Sequence, residues 1–299
     1  SRPHFKDAYT DHGRLVVVNN SYYPEDFERG FSDGCLAEWN GDDWRIVART
    51  QFNAVTGRHK GSLGRAIFAT GQDRASVLFL VYLPATGWKT YRLPRGTHTQ
   101  DHAWTTEWPR IREVESERWL MDAGGMFYEL PDMTYADSVW GVVPVCRHLR
   151  IIPDFCSWNG LLVLAGDQTT PIDDSNPFVG QPQANLWFGK TDDLWRFGAP
   201  AGWGGPWWDS PVGAGESSDP FLMTGFREKC LHVACRDPQP LHVTVELDFQ
   251  GAGAWHPYAV VETSNGYTSH VFPPGLSAHW VRLTPDRDCT ATAQFFYGY

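Results

Sequence analysis

Several things are scarce in this chain of 299 residues. No apolar run approaches the roughly 20 residues that a membrane-spanning helix needs. Cations do not dominate: Lys and Arg number 25 against 35 Asp and Glu, a formal net charge of −10. No block of five like charges occurs. A phosphate-backbone binder normally carries a basic stripe, so nucleic acid is excluded as the expected partner. None of the six cysteines (Cys35, Cys146, Cys156, Cys230, Cys235, Cys289) sits in a CxxC pair, which removes a zinc ribbon. A G-x-S-x-G elbow, a P-loop, an HExxH helix and a GxGxxG fingerprint are all missing. That disfavours α/β-hydrolases, nucleotide enzymes and zincins. Helical periodicity is nearly absent.

What the chain does have is aromatics and turns. Fifteen tryptophans, 17 phenylalanines and 11 tyrosines accompany 29 glycines and 21 prolines. Disordered chains carry few aromatics, so disorder is excluded. Short apolar runs bounded by turn residues predict an all-β chain. Candidate strands cover Leu15–Asn19, Val77–Tyr82, Leu161–Ala165, His242–Leu247 and Trp280–Leu283. The even cysteine count suggests an oxidising compartment. One glycosylation sequon begins at Asn19.

Aromatic strand ends recur. GDDWRIV centres on Trp44, ATGWKTYRLP on Trp88, GGMFYELP on Phe127, DDLWRFG on Trp195 and GAWHPYAVV on Trp255. Each begins with a Gly or Asp turn, then an aromatic, then alternating residues. The opening strands repeat too: FATGQDRASVLFLV resembles LMTGFREKCLHVAC. Units of about 40 residues with several strands predict a β-propeller, with a sandwich of similar strands as the alternative. We expect one propeller over 1–299, with about five clear blades plus C-terminal closing strands. A seven-bladed ring needs about 315 residues, so blades are expected to be missing or supplied by an N-terminal segment or second chain.

Residues at the blade openings face a central channel in a propeller. They include His4 and Lys6, Arg65 and Arg74, Arg110 and Arg112, His148 and Arg150, and Arg227. A spacing of two puts a pair on one face of a strand. Convergent cations suit an anionic glycan carrying a carboxylate or sulfate, although each could instead pair with an inter-blade acid. The segment 92–113 is the densest in chemistry. Its His98 and His102, with Asp101 beside the second, can position one imidazole as a general base or acid, or sit as surface residues of a polar loop. Tyr128 is either a partner for such a base or a core residue with its hydroxyl at the rim. Arg, His and Tyr together form the kit for β-elimination from uronates. Trp203, Trp207 and Trp208 lie in a Gly/Pro-rich stretch where exposed indoles could stack on sugar rings. Asp173, Asp174 and Asn176 could hold a structural calcium; no other cofactor is implied.

The segments YRLPRGTHTQDHAWTTEWPRIREV and MDAGGMFYELP, with HFKDAYTDHGRLVVVNNSY and LAEWNGDDWRIV, resemble the propeller lyases that remove rhamnose from rhamnosyl-glucuronate caps of plant gums. The resemblance implies a secreted, seven-bladed lyase with His and Arg around the channel. Beside this reading stand a non-catalytic, lectin-like propeller and a glycoside hydrolase. The last needs two facing carboxylates, for which Glu107 and Asp122 are available. Architecture does not choose among them.

Overall fold

The computed structural model describes residues 3–21, 33–57, 66–97, 109–116, 118–130, 138–149, 152–171, 180–184, 186–237 and 239–298. The chain is all-β, with one short 3-10 turn at Thr191–Arg196 among the described residues.

Three four-stranded antiparallel meanders follow one another. The first joins β1 (Pro3–Asp11), β2 (Arg14–Ser21), β3 (Gly34–Trp39) and β4 (Trp44–Ala48) in sequence order. The next meander is β5 (Gln51–Gly57), β6 (Ile67–Gln72), β7 (Val77–Leu83) and β8 (Gly87–Leu93). Strand β7 is buried on both faces, which is why VLFLVYL reads as an unbroken apolar run. The third comprises β9 (Arg110–Glu115), β10 (Arg118–Ala123), β11 (Met126–Leu130) and β12 (Val143–Arg147). A smaller sheet has β13 (Phe155–Trp158) and β14 (Leu161–Leu164); β15 (Asp167–Pro171) and β16 (Gly180–Ala184) pair separately, and β17 (Trp187–Gly189) completes the smaller sheet. The first strands β1, β5, β9 and β13 neighbour one another in that order. Up-and-down sheets packed through their opening strands are the blade arrangement that the repeats predict.

The last third departs from it. Strands β18 (Gly202–Val212), β19 (Phe221–Leu222), β20 (Glu228–Cys235), β21 (His242–Asp248), β22 (His256–Glu262), β23 (Tyr267–Val271), β24 (Trp280–Pro285) and β25 (Cys289–Gly298) do not pair in sequence order. One sheet runs β18-β25-β20-β23, and the facing order is β22-β21-β24-β19. That is the strand order of a jelly roll, with seven connections of which only β21 to β22 stays within one sheet. Phe221 stacks on Phe295 across the two sheets at 5.1 Å. Leu231, Val233, Val243, Val245, Val281 and Leu283 fill the same core. The expected blade marker Trp195 lies in the 3-10 turn, and Trp255 precedes a jelly-roll strand. A Gly/Asp-aromatic signature marks where a strand begins, and non-local pairing decides which sheet receives it. The described sheets do not close into a ring.

The two parts share a sheet. Strand β19 pairs in parallel with β8, Phe221 opposite Arg92, so the second meander and half of the jelly roll form eight continuous strands.

Candidate functional site

That seam carries an open cleft of about 450 Å³. The β6–β7 turn, Asp73-Arg74-Ala75-Ser76, is an Asx turn. Asp73 Oδ1 accepts the backbone N–H groups of Ala75 (2.8 Å) and Ser76 (3.0 Å). The other oxygen, Oδ2, faces Arg92 Nη1 at 2.8 Å. Arg92 Nε donates to Asp219 Oδ2 at 2.9 Å, and its backbone N–H donates to Pro220 O. The guanidinium is therefore clamped between the β6–β7 turn and the segment that leads into β19. Burial pulls Arg92 down, and the facing carboxylates of Asp73 and Asp219 more than offset it, so its pKa is held above the ordinary value. Arg92 is 13% exposed, Asp73 28% and Asp219 39%. Both carboxylates thus reach solvent. The fork of one guanidinium limits their bound oxygens to about 8 Å apart.

Trp208 also lines the cleft. Strand β18 pairs irregularly with β25 on both sides of Trp207, and Asp209 takes a positive φ of 51°. Such irregularity re-aims side chains: Trp207 is buried, whereas Trp208 is 44% exposed. Arg74 and Trp208 also line an adjoining cleft of about 450 Å³ with Arg236, Thr290 and Thr292. The two clefts share Arg74 and Trp208 in their lining, and Arg49 and Arg74 are exposed.

A second cavity, of about 920 Å³, is lined by Arg147, His148, Arg196 and Phe197. His148 Nε2 meets Asp122 Oδ1 at 3.0 Å, and the Phe127 ring packs against the imidazole. The turn beneath is Gly124-Gly125, with φ of 59° and 78°. A Cβ on Gly125 would fall 2.3 Å from Thr97 Cγ2, so the close approach of Thr97 requires glycine there.

Of the residues singled out from sequence, His98, His102, Arg150, Arg65, Glu107, Asp173, Asp174 and Asn176 lie outside the described residues. His148 borders the larger cavity. Tyr128 is fully buried and donates its hydroxyl to Pro94 O at 2.5 Å, the core position of its two readings. Burial and nearby Asp122 push its pKa well above 10. Arg112 Nη2 binds Asp154 Oδ2 at 2.8 Å, with Arg110 Nε 3.9 Å from the same oxygen, so both arginines tie β9 to the approach of β13. His4 is exposed and Lys6 half-buried on β1 in the first sheet; neither lines the clefts described above. Trp203 exchanges both backbone hydrogen bonds with Arg95. Asp122, one of the two carboxylates considered for hydrolysis, is buried against His148 instead of facing a cleft. The sequon residue Asn19 lies within β2, where its Oδ1 accepts the Cys35 N–H. Among the described residues no group of three or more His, Cys, Asp or Glu is placed to hold a metal. No described helix is long and apolar enough to cross a membrane.

Sequence reasoning missed Asp73, Arg92 and Asp219. The Asp-x-x-Ser turn and the Asp-Pro pair were visible signals of turns, but nothing local joins residues 73, 92 and 219.

No known family profile matches the sequence, and no curated relative does. Solved structures with some likeness include a glycoside hydrolase at 10% identity and a TM-score of 0.30, covering 97% of both chains. Another is a glycoside hydrolase family 43 arabinoxylan arabinofuranohydrolase from Bacillus subtilis, solved with cellotetraose. It has 10% identity and a TM-score of 0.30, covering 99% of this chain and 94% of that one. An exo-β-1,3-galactanase from Phanerochaete chrysosporium has 10% identity and a TM-score of 0.28, covering 96% and 79%. The resemblance to rhamnose-glucuronate lyases is therefore corrected. It rested on short phrases of sequence, no family profile supports it, and the last third forms a jelly roll where a seven-bladed ring would need further blades.

Proposed function

We propose that this chain is a carbohydrate-active protein that hydrolyses a glycosidic bond in the cleft between Asp73 and Asp219. One observation carries the reading: two solvent-reaching carboxylates share a single guanidinium in a cleft that an exposed tryptophan also lines. Glycosidases use a carboxyl pair about 5–5.5 Å apart for retention or about 6.5–9.5 Å for inversion. A limit of about 8 Å on the bound oxygens is compatible with either. Asp73, fixed by two backbone N–H groups and Arg92, suits the base or nucleophile. Asp219, the more exposed, is the second member of the carboxyl pair. Trp208 offers a flat apolar face to a sugar ring. Arg49 and Arg74 favour an anionic glycan, and a polymeric glycan goes with action outside the cell.

Arg92 is charge-paired with both carboxylates, and this favours a second reading, a lectin-like groove without turnover. Incubation with uronate-containing and neutral polysaccharides distinguishes them. New reducing ends without an unsaturated product support hydrolysis, and saturable binding without new ends supports the lectin. Release of an unsaturated uronate contradicts both.

A further inference from the structure

We infer that the outer face of the jelly-roll sheet β18-β25-β20-β23 holds a glycan chain beyond the proposed hydrolytic cleft, with Tyr267 and Phe296 as its stacking residues. The inference rests on the carbohydrate-active reading above, but not on turnover. Alternation along the strands sets the face. On β20, Leu231, Val233 and Cys235 point into the core, so Cys230, His232 and Ala234 point outward. The register puts Phe296 and Val271 beside Cys230, Gln294 and Ser269 beside His232, and Thr292 and Tyr267 beside Ala234. Tyr267 and Phe296 have no core to fill on that side, and each is half exposed.

His232 lies between the two rings and fixes one of them. Its Nδ1 is 2.7 Å from the Tyr267 hydroxyl, and its Nε2 is 3.5 Å from Cys230 Sγ. The Phe296 ring meets the imidazole edge to face at 5.2 Å. Tyr267 is therefore ordered before a ligand arrives, which lowers the cost of binding. From Tyr267 toward Trp208 the floor is made of small residues. Ala234 and Thr292 occupy the two strands between, and both line one cleft with Trp208. The Asp209 N–H donates to Thr292 Oγ1 at 2.8 Å, which seats the Trp208 end of β18 at this level. Three strand spacings of about 4.8 Å separate the β18 and β23 backbones by about 14 Å there. Beyond His232, Cys230, Val271 and Phe296 line a further cleft of about 560 Å³.

An exposed indole at one end, a phenol at the other and small hydroxyl-bearing residues between suit the flat faces and hydroxyl edges of a sugar chain. A protein partner would meet the charged pair Arg236–Asp209 on this face, whereas the centre of a protein interface is depleted of charge. This cleft shares Arg74 and Trp208 with the one that holds Asp73 and Asp219. A chain held on the sheet face thus reaches the proposed site of hydrolysis, and the face serves long chains and not short ones.

The full chain is run in native gels that contain soluble glucuronoxylan, polygalacturonate or xyloglucan, and retardation gives the affinity. At least one of the three should retard the wild type and Asp73→Asn alike. Tyr267→Ala and Phe296→Ala should each bind that polysaccharide about 3- to 10-fold more weakly, with little change in melting temperature. Tyr267→Phe, which keeps the ring, should bind as the wild type does. Ala234→Arg, which fills the floor without removing a ring, should weaken binding as well. A wild type that none of the three retards overturns the inference, and so does equal retardation of the Tyr267→Ala/Phe296→Ala double variant. These shifts without new reducing ends would sink hydrolysis and leave the binding face standing.

Discussion

His148 Nε2 lies 3.0 Å from Asp122 Oδ1, with side-chain exposures of only 7% and 4%. The two groups come from different strands, Asp122 from β10 and His148 from just beyond β12, and their contact fastens β12 back onto the β10–β11 hairpin. Asp122→Ala leaves the imidazole without this partner. A loss of about 1–3 kcal/mol is expected in urea denaturation. His148→Ala should cost a similar amount, and the double variant clearly less than the sum. Simple additivity would show that the pair is not coupled.

Trp208 is the exposed member of an adjacent tryptophan pair, and Trp207 is the buried one. Trp208→Ala should weaken glycan binding about 3- to 10-fold, the contribution of one aromatic stacking face. Stability should change by no more than about 0.5 kcal/mol. Trp207→Ala should show the opposite pattern, a large stability loss. Isothermal titration paired with thermal melting reads both.

The His279 imidazole is lowered to about 4 by burial, with Asp248 pulling in the other direction. In the unfolded chain a histidine titrates near its ordinary value of about 6.5. Between these values the unfolded state holds the extra proton, so stability falls as pH drops from 6.5 toward 4. The expected loss is about 3 kcal/mol across that window. Chemical denaturation at several pH values should show this slope, and His279→Gln should flatten it. An unchanged slope in the variant would assign the effect to other groups.

Phe221 is fully buried at the seam, stacked on Phe295 and opposite Arg92 in the parallel pairing. Phe221→Ala should cost about 3–5 kcal/mol. Because β19 belongs to a sheet shared by both parts, tryptophan fluorescence and far-ultraviolet circular dichroism should lose structure in one transition. Two separated transitions would mean that the jelly roll and the meanders unfold independently.

Much of the strand content was legible because it is local. Val77–Tyr82 reads as a strand from its apolar run, and His242–Leu247 and Trp280–Leu283 from apolar residues at alternate positions. The meander character of the first three units was legible as well, since their strands pair with their neighbours in sequence. The jelly roll was not, because six of its seven connections cross between sheets and leave no periodic trace. Trp88 shows the limit of aromatic markers. It lies on β8 as expected, but its indole N–H donates to Glu38 Oε2 in another sheet, a partner that no repeat reveals. The cleft was hidden for the same reason: Asp73, Arg92 and Asp219 are joined only by the parallel pairing of β8 with β19.

The most direct measurement compares Asp73→Asn and Asp219→Asn with the wild type on a glycan that the wild type cleaves, reading turnover and affinity separately. Each substitution removes one member of a carboxyl pair and keeps the side-chain volume. Hydrolysis in this cleft predicts that each variant loses at least about 100-fold in kcat, the scale of a general acid or base. It also predicts that glycan affinity stays within a few-fold. Full turnover in both variants, with the glycan still held, would contradict catalysis at Asp73 and Asp219.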